Sequence, residues 1–204
     1  MTREIPSPTE VALAQSLGQF PRVSEILEAM GLGVDYSHVP PATLELAKLR
    51  GTALHLAIQY HAEGVLDETT IHEDIAPGFS AYLKFLAATR HEPIASEIEL
   101  IHPVWRYVGH PDRIGFLGQD RVVIDFKYMD SVDVTAASYQ VAAYQKAWDA
   151  THPTELIGRC AVLQLRHDGT YRLHEIPTQA LTNARQVFLA ALVVFRARRK
   201  NHER

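Results

Sequence analysis

Asp125 and Lys127 are the two residues whose types and spacing most directly suggest chemistry. They follow Val122-Val123-Ile124, a β-branched run that is typical of a strand. Because alternate residues of a strand point to the same side, the carboxylate and the ammonium are expected to share one face. Upstream, Gly109-His110-Pro111-Asp112 supplies a second carboxylate. Two carboxylates and a lysine that converge suit the metal-assisted hydrolysis of a phosphodiester.

These three residues have distinct expected roles. Asp112 and Asp125 offer hard oxygen ligands for Mg²⁺ or Mn²⁺, and a bound ion polarises a phosphate and lowers the pKa of water. Lys127 would orient the water and offset charge that develops on the phosphate. The alternative is an exposed ion pair on an ordinary strand, since an isolated Asp-x-Lys often arises by chance. The upstream acid and the flanking helices favour the functional interpretation.

Helices precede the strands that carry these residues. We predict four of them before the first strand: a helix from the capping box at Ser7 to about Leu17, one over Ser24 to Met30, one from Pro40-Pro41 to Gly64, and one from after Pro77 to about Arg90. His55 lies in the third helix. We expect His61, further along it, to face solvent.

Strands follow, in the order three strands, helix, two strands, helix. The predicted segments are a strand over Ile94 to His102, a second built from Trp105 to Val108 and Arg113 to Phe116, a third over Val122 to Tyr128, a helix from Thr135 to about Thr151, strands over Leu156 to Arg166 and Tyr171 to Glu175, and a last helix from Thr178 past Phe195. Turns are predicted at Gly118-Gln119-Asp120 and at Asp168-Gly169. The fold class is therefore mixed α/β.

Composition is that of one globular domain. The 204 residues are 47% hydrophobic and 22% charged, which suits a single core. We divide residues 1–204 into a mainly helical part (1–90), a part with the catalytic sheet and its helix (91–177), and a C-terminal helix (178–204). The formal net charge of -4 does not decide the partner, because it says nothing about how charge is distributed.

Cysteine usage and hydropathy bear on cofactors and location. The single cysteine, Cys160, excludes an internal disulfide and a four-cysteine iron-sulfur cluster within the chain. The N-terminus lacks the basic and then apolar pattern of a secretory signal, and the run Val187 to Phe195 is shorter than the ~20 residues that span a bilayer. We expect a cytoplasmic protein with no membrane partner.

With these motifs in place, the chain resembles the PD-(D/E)xK nuclease superfamily, and within it the RecB-like branch that includes phage-type exonucleases. Pro111-Asp112 and Asp125-Phe126-Lys127 look like the motif that names the superfamily. Gly51-Thr52-Ala53-Leu54-His55 is similar to the branch's N-terminal histidine motif, and Gln140-Val141-Ala142-Ala143-Tyr144 matches its Q-x-x-x-Y helix. The resemblance implies a restriction-endonuclease-like αβββαβ core, with a mixed central sheet flanked by helices and an added N-terminal helical region.

The resemblance also implies roles for four residues outside the central motif. His55 would be a metal ligand together with Asp112 and Asp125, whereas in isolation a buried core histidine is the better interpretation. Family members place a glutamate on the first strand, where Glu97 and Glu99 share parity. We favour Glu97 as a catalytic residue, although the choice is nearly even, and both could equally be solvated.

Gln140 and Tyr144 are the other two residues that the resemblance singles out. Spaced i and i+4 on one helix, they are neighbours on one face, where they could contact a phosphate, a base or Lys127. The alternative is a plain tyrosine at the edge of the core. The basic C-terminal segment that includes Arg196 is more typical of a solvated helix end than of a phosphate-binding site.

The resulting hypothesis is a Mg²⁺- or Mn²⁺-dependent DNA nuclease without an iron-sulfur cluster, more typical of an exonuclease than of a site-specific endonuclease. It would act on single- or double-stranded DNA ends in recombination, repair or phage DNA processing. His110 and Tyr128 depart from the family pattern and leave open a catalytically silent DNA-binding or assembly module. Hydrolysis of RNA or another phosphodiester is a further alternative. A homo-oligomer or a recombination partner on another chain is conceivable.

Overall fold

The structure, a computed structural model, describes residues 20–202, with side chains described as far as Arg199. The helix predicted over Ser7 to Leu17 lies outside the described residues. The described helices are α1 (Val23–Ala29), α2 (Pro41–Ala62), α3 (Ala76–Thr89), α4 (Val134–Thr151) and α5 (Thr178–His202). The described strands are β1 (Glu92–Ser96), β2 (Leu100–Ile101), β3 (Val108–Gly109), β4 (Arg113–Leu117), β5 (Asp120–Tyr128), β6 (Arg159–Leu165) and β7 (Tyr171–Glu175).

One five-stranded sheet organises the fold, in the spatial order β1-β4-β5-β6-β7. β5 and β6 are parallel, whereas the pairs β1/β4, β4/β5 and β6/β7 are antiparallel. The short strands β2 and β3 pair separately. A parallel pair needs a crossover connection, and α4 is the helix that provides it between β5 and β6. The prediction of a mixed central sheet flanked by helices is confirmed.

Alternation along β5 divides the core into two layers. Val123 packs with α1, α4 and α5 on one face of the sheet, while Val122, Ile124 and Phe126 pack with α2 and α3 on the other. Successive strand residues point to opposite faces, so Asp125 and Lys127 belong to the α4 face. The burial of β5 on both faces explains its nearly continuous apolar sequence.

The predicted strand over Ile94 to His102 is wrong in one respect that matters for the site. β1 ends at Ser96, and β2 begins at Leu100. Between them Glu97 has a φ of 50°, a left-handed conformation that does not continue a strand. Glu97 and Glu99 therefore do not share a strand face, and alternation no longer relates the directions of their side chains.

Two further expectations differ from the structure, one because of side-chain packing and one because of a backbone turn. His61 does not simply face solvent, because its ring packs edge-on against Phe79 and Tyr82 with centroid distances of 5.6 Å for each pair. The predicted strand over Trp105 to Val108 is reduced to β3, since Arg106 has a φ of 48°. Both changes arise from contacts or backbone turns that short-range periodicity does not describe.

α5 contains the stretch of the described chain, Thr178–Arg199, that is long and apolar enough to cross a membrane. Leu181, Phe188 and Leu192 on this helix are buried in the core against α4 and the sheet. Packing in the core therefore accounts for the apolar residues on that face. Arg196, near its C-terminal end, donates to the carbonyl oxygens of Trp105 and Arg106, so it anchors the helix to the loop before β3.

Candidate active site

β5 presents Asp125 and Lys127 side by side, as the strand alternation predicts. Lys127 Nζ lies 2.7 Å from Asp125 Oδ2. The carboxylate is buried, with a side-chain exposure of 1%, while the lysine is partly exposed. Among the described residues, Oδ2 of Asp125 has no hydrogen bond of acceptable geometry. A buried carboxylate oxygen whose one close contact is an ammonium retains free lone pairs for a further cation.

The hairpin of β4 and β5 brings the second carboxylate to the same place. Arg113 pairs with Ile124 in the antiparallel register, so Asp112, one residue earlier, lies opposite Asp125. Oδ2 of Asp112 accepts a hydrogen bond from the backbone N–H of Phe126, which holds the carboxylate against β5. The predicted convergence of the two acids and Lys127 is what the structure shows.

α2 places His55 against Asp112 and the ring of Phe126. The neighbouring residues Leu54 and Ile58 are buried and anchor this part of the helix. Nδ1 of His55 lies 3.4 Å from Oδ1 of Asp112, and its ring contacts Phe126 edge-on, with the centroids 6.0 Å apart. The histidine is therefore neither a solvated surface residue nor a core residue with apolar neighbours alone.

The bend after β1 turns Glu97 toward the same cluster. Oε1 of Glu97 lies 3.7 Å from Nδ1 of His55, whereas Glu99 lies 3.3 Å from Nε2 of His110. The structure thus brings Glu97 rather than Glu99 to the site. Ligand atoms of His55, Glu97 and Asp112 all lie within 4.8 Å of one another. This set differs from the predicted ligands His55, Asp112 and Asp125, because Glu97 joins it and Asp125 is engaged by Lys127.

The electrostatics of the cluster follow from burial and proximity. Burial disfavours the imidazolium of His55, but the carboxylates of Asp112 and Glu97 outweigh it and raise the histidine pKa to about 10. Burial raises the pKa of Asp125 to about 6, against the attraction of Lys127 and with the repulsion of Asp112. Such a concentration of negative charge favours a bound cation.

A divalent metal ion fits this donor set. Carboxylate oxygens are the preferred ligands of Mg²⁺ and Mn²⁺, and imidazole is also a ligand for transition metals. Glu97, Asp112 and His55 supply these donors within one cluster, and the buried carboxylate of Asp125 lies beside it in contact with the ammonium of Lys127. The residues present are therefore suited to hold such an ion.

α4 places the predicted glutamine and tyrosine next to the lysine. Lys127 Nζ donates to Gln140 Oε1 across 3.3 Å, and Gln140 Nε2 donates to the Tyr144 hydroxyl across 2.7 Å. Tyr144 is only 4% exposed. A Cβ atom at Gly109 would lie 2.6 Å from its ring, so only glycine lets β3 approach this closely. The buried Tyr144 and the half-buried Gln140 together support Lys127.

Tyr128, which follows Lys127 on β5, has contacts that give it a structural role. Its hydroxyl donates to the Asp74 carbonyl oxygen across 2.8 Å. A Cβ atom at Gly78 would lie 2.7 Å from the Tyr128 ring, so α3 packs closely on this side chain. Tyr128 therefore helps to hold α3 and the loop before it against β5.

Sequence reasoning missed the residues of a cavity beside the cluster. The cavity has a volume of about 820 Å³, and the residues that line it include Lys127 and Gln140. The other lining residues come from α1, the loop after it, the first half of α2, the segment after β5 and the start of α4, and they include Tyr36 and Lys48. We predicted the Leu32 to Val39 segment only as a loop, and no motif indicated Tyr36. Only the folding of this loop toward α4 identifies it.

Comparison with known proteins gives a fold relationship. No family model matches the sequence, and no curated protein matches it. The crystal structure of a candidate exonuclease from Eubacterium rectale is similar, with a TM-score of 0.52 at 12% identity, over 93% of this chain and 84% of the other. An alkaline exonuclease from Laribacter hongkongensis has a TM-score of 0.35 at 15% identity, over 95% of this chain and 98% of the other. That score is too low to show a common fold. The fold is thus mixed α/β and restriction-endonuclease-like.

Proposed function

We propose that this chain is a deoxyribonuclease that depends on Mg²⁺ or Mn²⁺ and hydrolyses phosphodiester bonds from DNA ends. The observation that supports the proposal is the cluster of His55, Glu97 and Asp112, with the Asp125–Lys127 pair on the neighbouring strand opposite Asp112. The name of the Eubacterium rectale protein, a candidate exonuclease, agrees with this function. The resemblance of the motifs to phage-type exonucleases supports a place in recombination, repair or phage DNA processing.

The chain's own residues would divide the work in the following way. Glu97, Asp112 and His55 hold the metal, with Asp125 beside them. A bound divalent ion supplies Lewis acidity at the scissile phosphate and lowers the pKa of a bound water. Lys127 orients the attacking water and offsets the negative charge that develops on the phosphate oxygens.

Contacts on both sides of Lys127 suit it to this role. The carboxylate of Asp125 lies 2.7 Å from its ammonium, and Gln140 accepts a hydrogen bond from it at 3.3 Å. Burial opposes the charged form, but Asp125 and Asp112 outweigh it and raise the lysine pKa. Lys127 is thus a fixed cation at neutral pH, and a positioned cation needs little reorganisation when charge develops.

The test is cleavage of linear DNA labelled at either end, with circular DNA in parallel, in Mg²⁺ and in Mn²⁺. Linear DNA is expected to release nucleotides from its ends while circular DNA stays intact. Lys127→Ala should lower the rate by about 10²–10³-fold, as for loss of one donor to a developing charge. Lys84→Ala is the matched control, because that lysine donates to the carbonyl oxygen of Gly169, away from the cluster.

Three results would contradict the proposal. Full activity in Lys127→Ala would remove the lysine from the mechanism. Cleavage of RNA in preference to DNA would reassign the substrate. Absence of cleavage of single-stranded DNA, double-stranded DNA and RNA, combined with Mn²⁺ binding that is lost in Asp112→Ala, would identify a catalytically silent metal-binding module of the same fold.

A further inference from the structure

We propose that the cavity beside Lys127 is a binding subsite for one unstacked nucleobase, and that the ring of Tyr36 is the surface on which the base stacks. The inference rests on the proposed function, because it assigns the cavity to a nucleic-acid strand that continues from the scissile phosphate. It goes further by selecting a single-stranded end as the substrate form.

Continuity with the cluster supports this occupant. The residues that line the cavity of about 820 Å³ include Lys127 and Gln140 of the candidate site together with Tyr36 and Lys48. Its volume falls within the range of about 300–1,000 Å³ that is typical of sites for single small ligands. A strand whose phosphate lies at Lys127 would therefore place its adjacent base or sugar in this space.

Tyr36 has the exposure that a stacking residue needs. Its side chain is 39% exposed, and it stands in the loop between α1 and α2 with neighbours that fix the backbone. Asp35 accepts a hydrogen bond from the Ser37 backbone N–H across 2.8 Å, and the Val39 N–H donates to the Tyr36 carbonyl oxygen across 2.9 Å. The loop is thus a defined turn, and Tyr36 is one of the residues that line the cavity.

Charged residues of both signs line the cavity. Lys48 and Lys127 are the cations of the lining, and each can contact a phosphate. The lining also contains three acids, Glu28, Asp35 and Asp133. The carboxylates of Asp35 and Asp133 each accept a hydrogen bond from a nearby backbone N–H, of Ser37 and Ala136 respectively. Their charge is partly offset there, and their remaining lone pairs can accept hydrogen bonds from the amino groups of a base.

The form of the nucleic acid follows from the stacking requirement. In a duplex the faces of a base are covered by its neighbours, so a protein side chain can stack on it only after the base leaves the helix. Single strands present these faces directly, and stacking on aromatic side chains is the common way in which proteins hold them. The cavity therefore favours a single-stranded or frayed end over a paired one.

The experiment measures binding without cleavage. A fluorescein-labelled thymidine 12-mer is titrated with wild-type protein, Tyr36→Ala, Tyr36→Phe and Tyr60→Ala, in EDTA and separately in Ca²⁺, and anisotropy gives the Kd. Tyr60 is the matched control, since its exposure of 40% is close to the 39% of Tyr36 but it does not line the cavity. Two further probes are a blunt 12-base-pair duplex and a 12-mer of abasic units.

Tyr36→Ala is expected to weaken binding of the thymidine 12-mer about 5- to 100-fold, the usual effect of losing one stacking residue. Tyr36→Phe keeps the ring and Tyr60→Ala leaves the cavity intact, so both should stay within about twofold of wild type. The abasic 12-mer should bind wild type about as weakly as the thymidine 12-mer binds Tyr36→Ala. The duplex should bind wild type more weakly than the thymidine 12-mer.

Four outcomes would overturn the inference: equal binding by Tyr36→Ala and wild type, equal loss in Tyr36→Phe and Tyr36→Ala, equal binding of abasic and thymidine strands, or no binding by wild type in either buffer. These outcomes are separate from failure of the proposed function. A protein that binds the 12-mer through Tyr36 but cleaves nothing retains the subsite and loses the nuclease activity. A protein that cleaves DNA, but whose Kd for the 12-mer is unchanged in Tyr36→Ala, retains the nuclease activity and loses the subsite.

Discussion

Lys127 donates a hydrogen bond from its ammonium to Gln140 Oε1 across 3.3 Å, and this bond ties β5 to α4 at the centre of the candidate active site. Gln140 is held in turn by the Tyr144 hydroxyl, 2.7 Å from its Nε2. A side chain with partners at both ends of its amide has little rotamer freedom left. Gln140 is thus a positioning residue for Lys127 under the proposed function.

Replacement of Gln140 tests this positioning. Gln140→Ala leaves Lys127 without its partner on α4, and we expect kcat to fall about 10- to 100-fold, as is typical when a catalytic group is misplaced by an ångström or so. Gln140→Glu retains the acceptor oxygen and should lose less. Gln179→Ala is the control, since Gln179 bonds to Asn183 on the exposed face of α5. A kcat equal to wild type in Gln140→Ala would contradict the role.

Glu97 and Glu99 provide a matched pair for the metal site. Glu97 lies 3.7 Å from His55, whereas Glu99 pairs with His110 outside the cluster. Glu97→Gln is expected to weaken Mn²⁺ binding by about tenfold or more in titration calorimetry, because even outer-shell partners of a metal contribute this much. Glu99→Gln should bind Mn²⁺ as wild type does. Equal affinities in both variants would remove Glu97 from the ligand set.

The stability of the folded state is expected to depend on pH through His91. Burial and the charge of Arg113 lower its pKa to about 4 despite the bond between its Nδ1 and the Phe116 carbonyl oxygen, and its buried Nε2 has no hydrogen-bond partner within residues 20–202. In the unfolded chain the pKa of His91 is near 6.5. Between about pH 4 and pH 6.5 the unfolded state therefore binds more protons than the folded state. The contribution to stability is complete above pH 6.5 and is lost as pH falls toward 4.

Chemical denaturation at several pH values between 4 and 7 measures this effect. Each fully titrating group contributes about 1.4 kcal/mol per pH unit to the slope of the unfolding free energy. His91→Phe removes the titration while keeping a ring of similar size, so its slope below pH 6.5 should be smaller than that of wild type by up to this amount. An unchanged slope would show that His91 does not carry the dependence.

Arg113 is a buried cation with incomplete pairing. Its exposure is 0%, and its Nη2 donates to the Tyr82 hydroxyl at 3.5 Å, while its Nε and Nη1 have no hydrogen bond among the described residues. Replacement of buried charges by apolar groups of similar volume is often stabilising by about 1–4 kcal/mol. We expect Arg113→Met to raise the free energy of unfolding in urea denaturation.

A control separates charge from volume at this position. Arg113→Ala removes the charge but leaves a cavity, which costs free energy in proportion to its size, and it should be less stable than Arg113→Met. If Arg113→Met is destabilised by more than about 1 kcal/mol, the guanidinium contributes net stability through its contacts with Tyr82 and the Phe126 ring. Such a result would contradict the prediction.

The local pattern of residue types was sufficient to predict the central strands and helix of this protein. β7 occupies the predicted residues Tyr171–Glu175, and β5 and α4 extend the predicted segments by one or two residues. The side-by-side arrangement of Asp125 and Lys127, and of Gln140 and Tyr144, followed from the periods of a strand and a helix. These relationships hold within one element, so the sequence alone determines them.

The tertiary structure decided the relationships between elements. Glu97 reaches His55 only because a left-handed residue ends β1, and no periodic pattern predicts that conformation. Tyr36 borders the cavity because its loop folds toward α4. Arg113 is enclosed by side chains from α3 and β5. Each depends on the path of the chain through space, whereas the Asp-x-Lys and Gln-x-x-x-Tyr spacings are set by backbone geometry before any packing occurs.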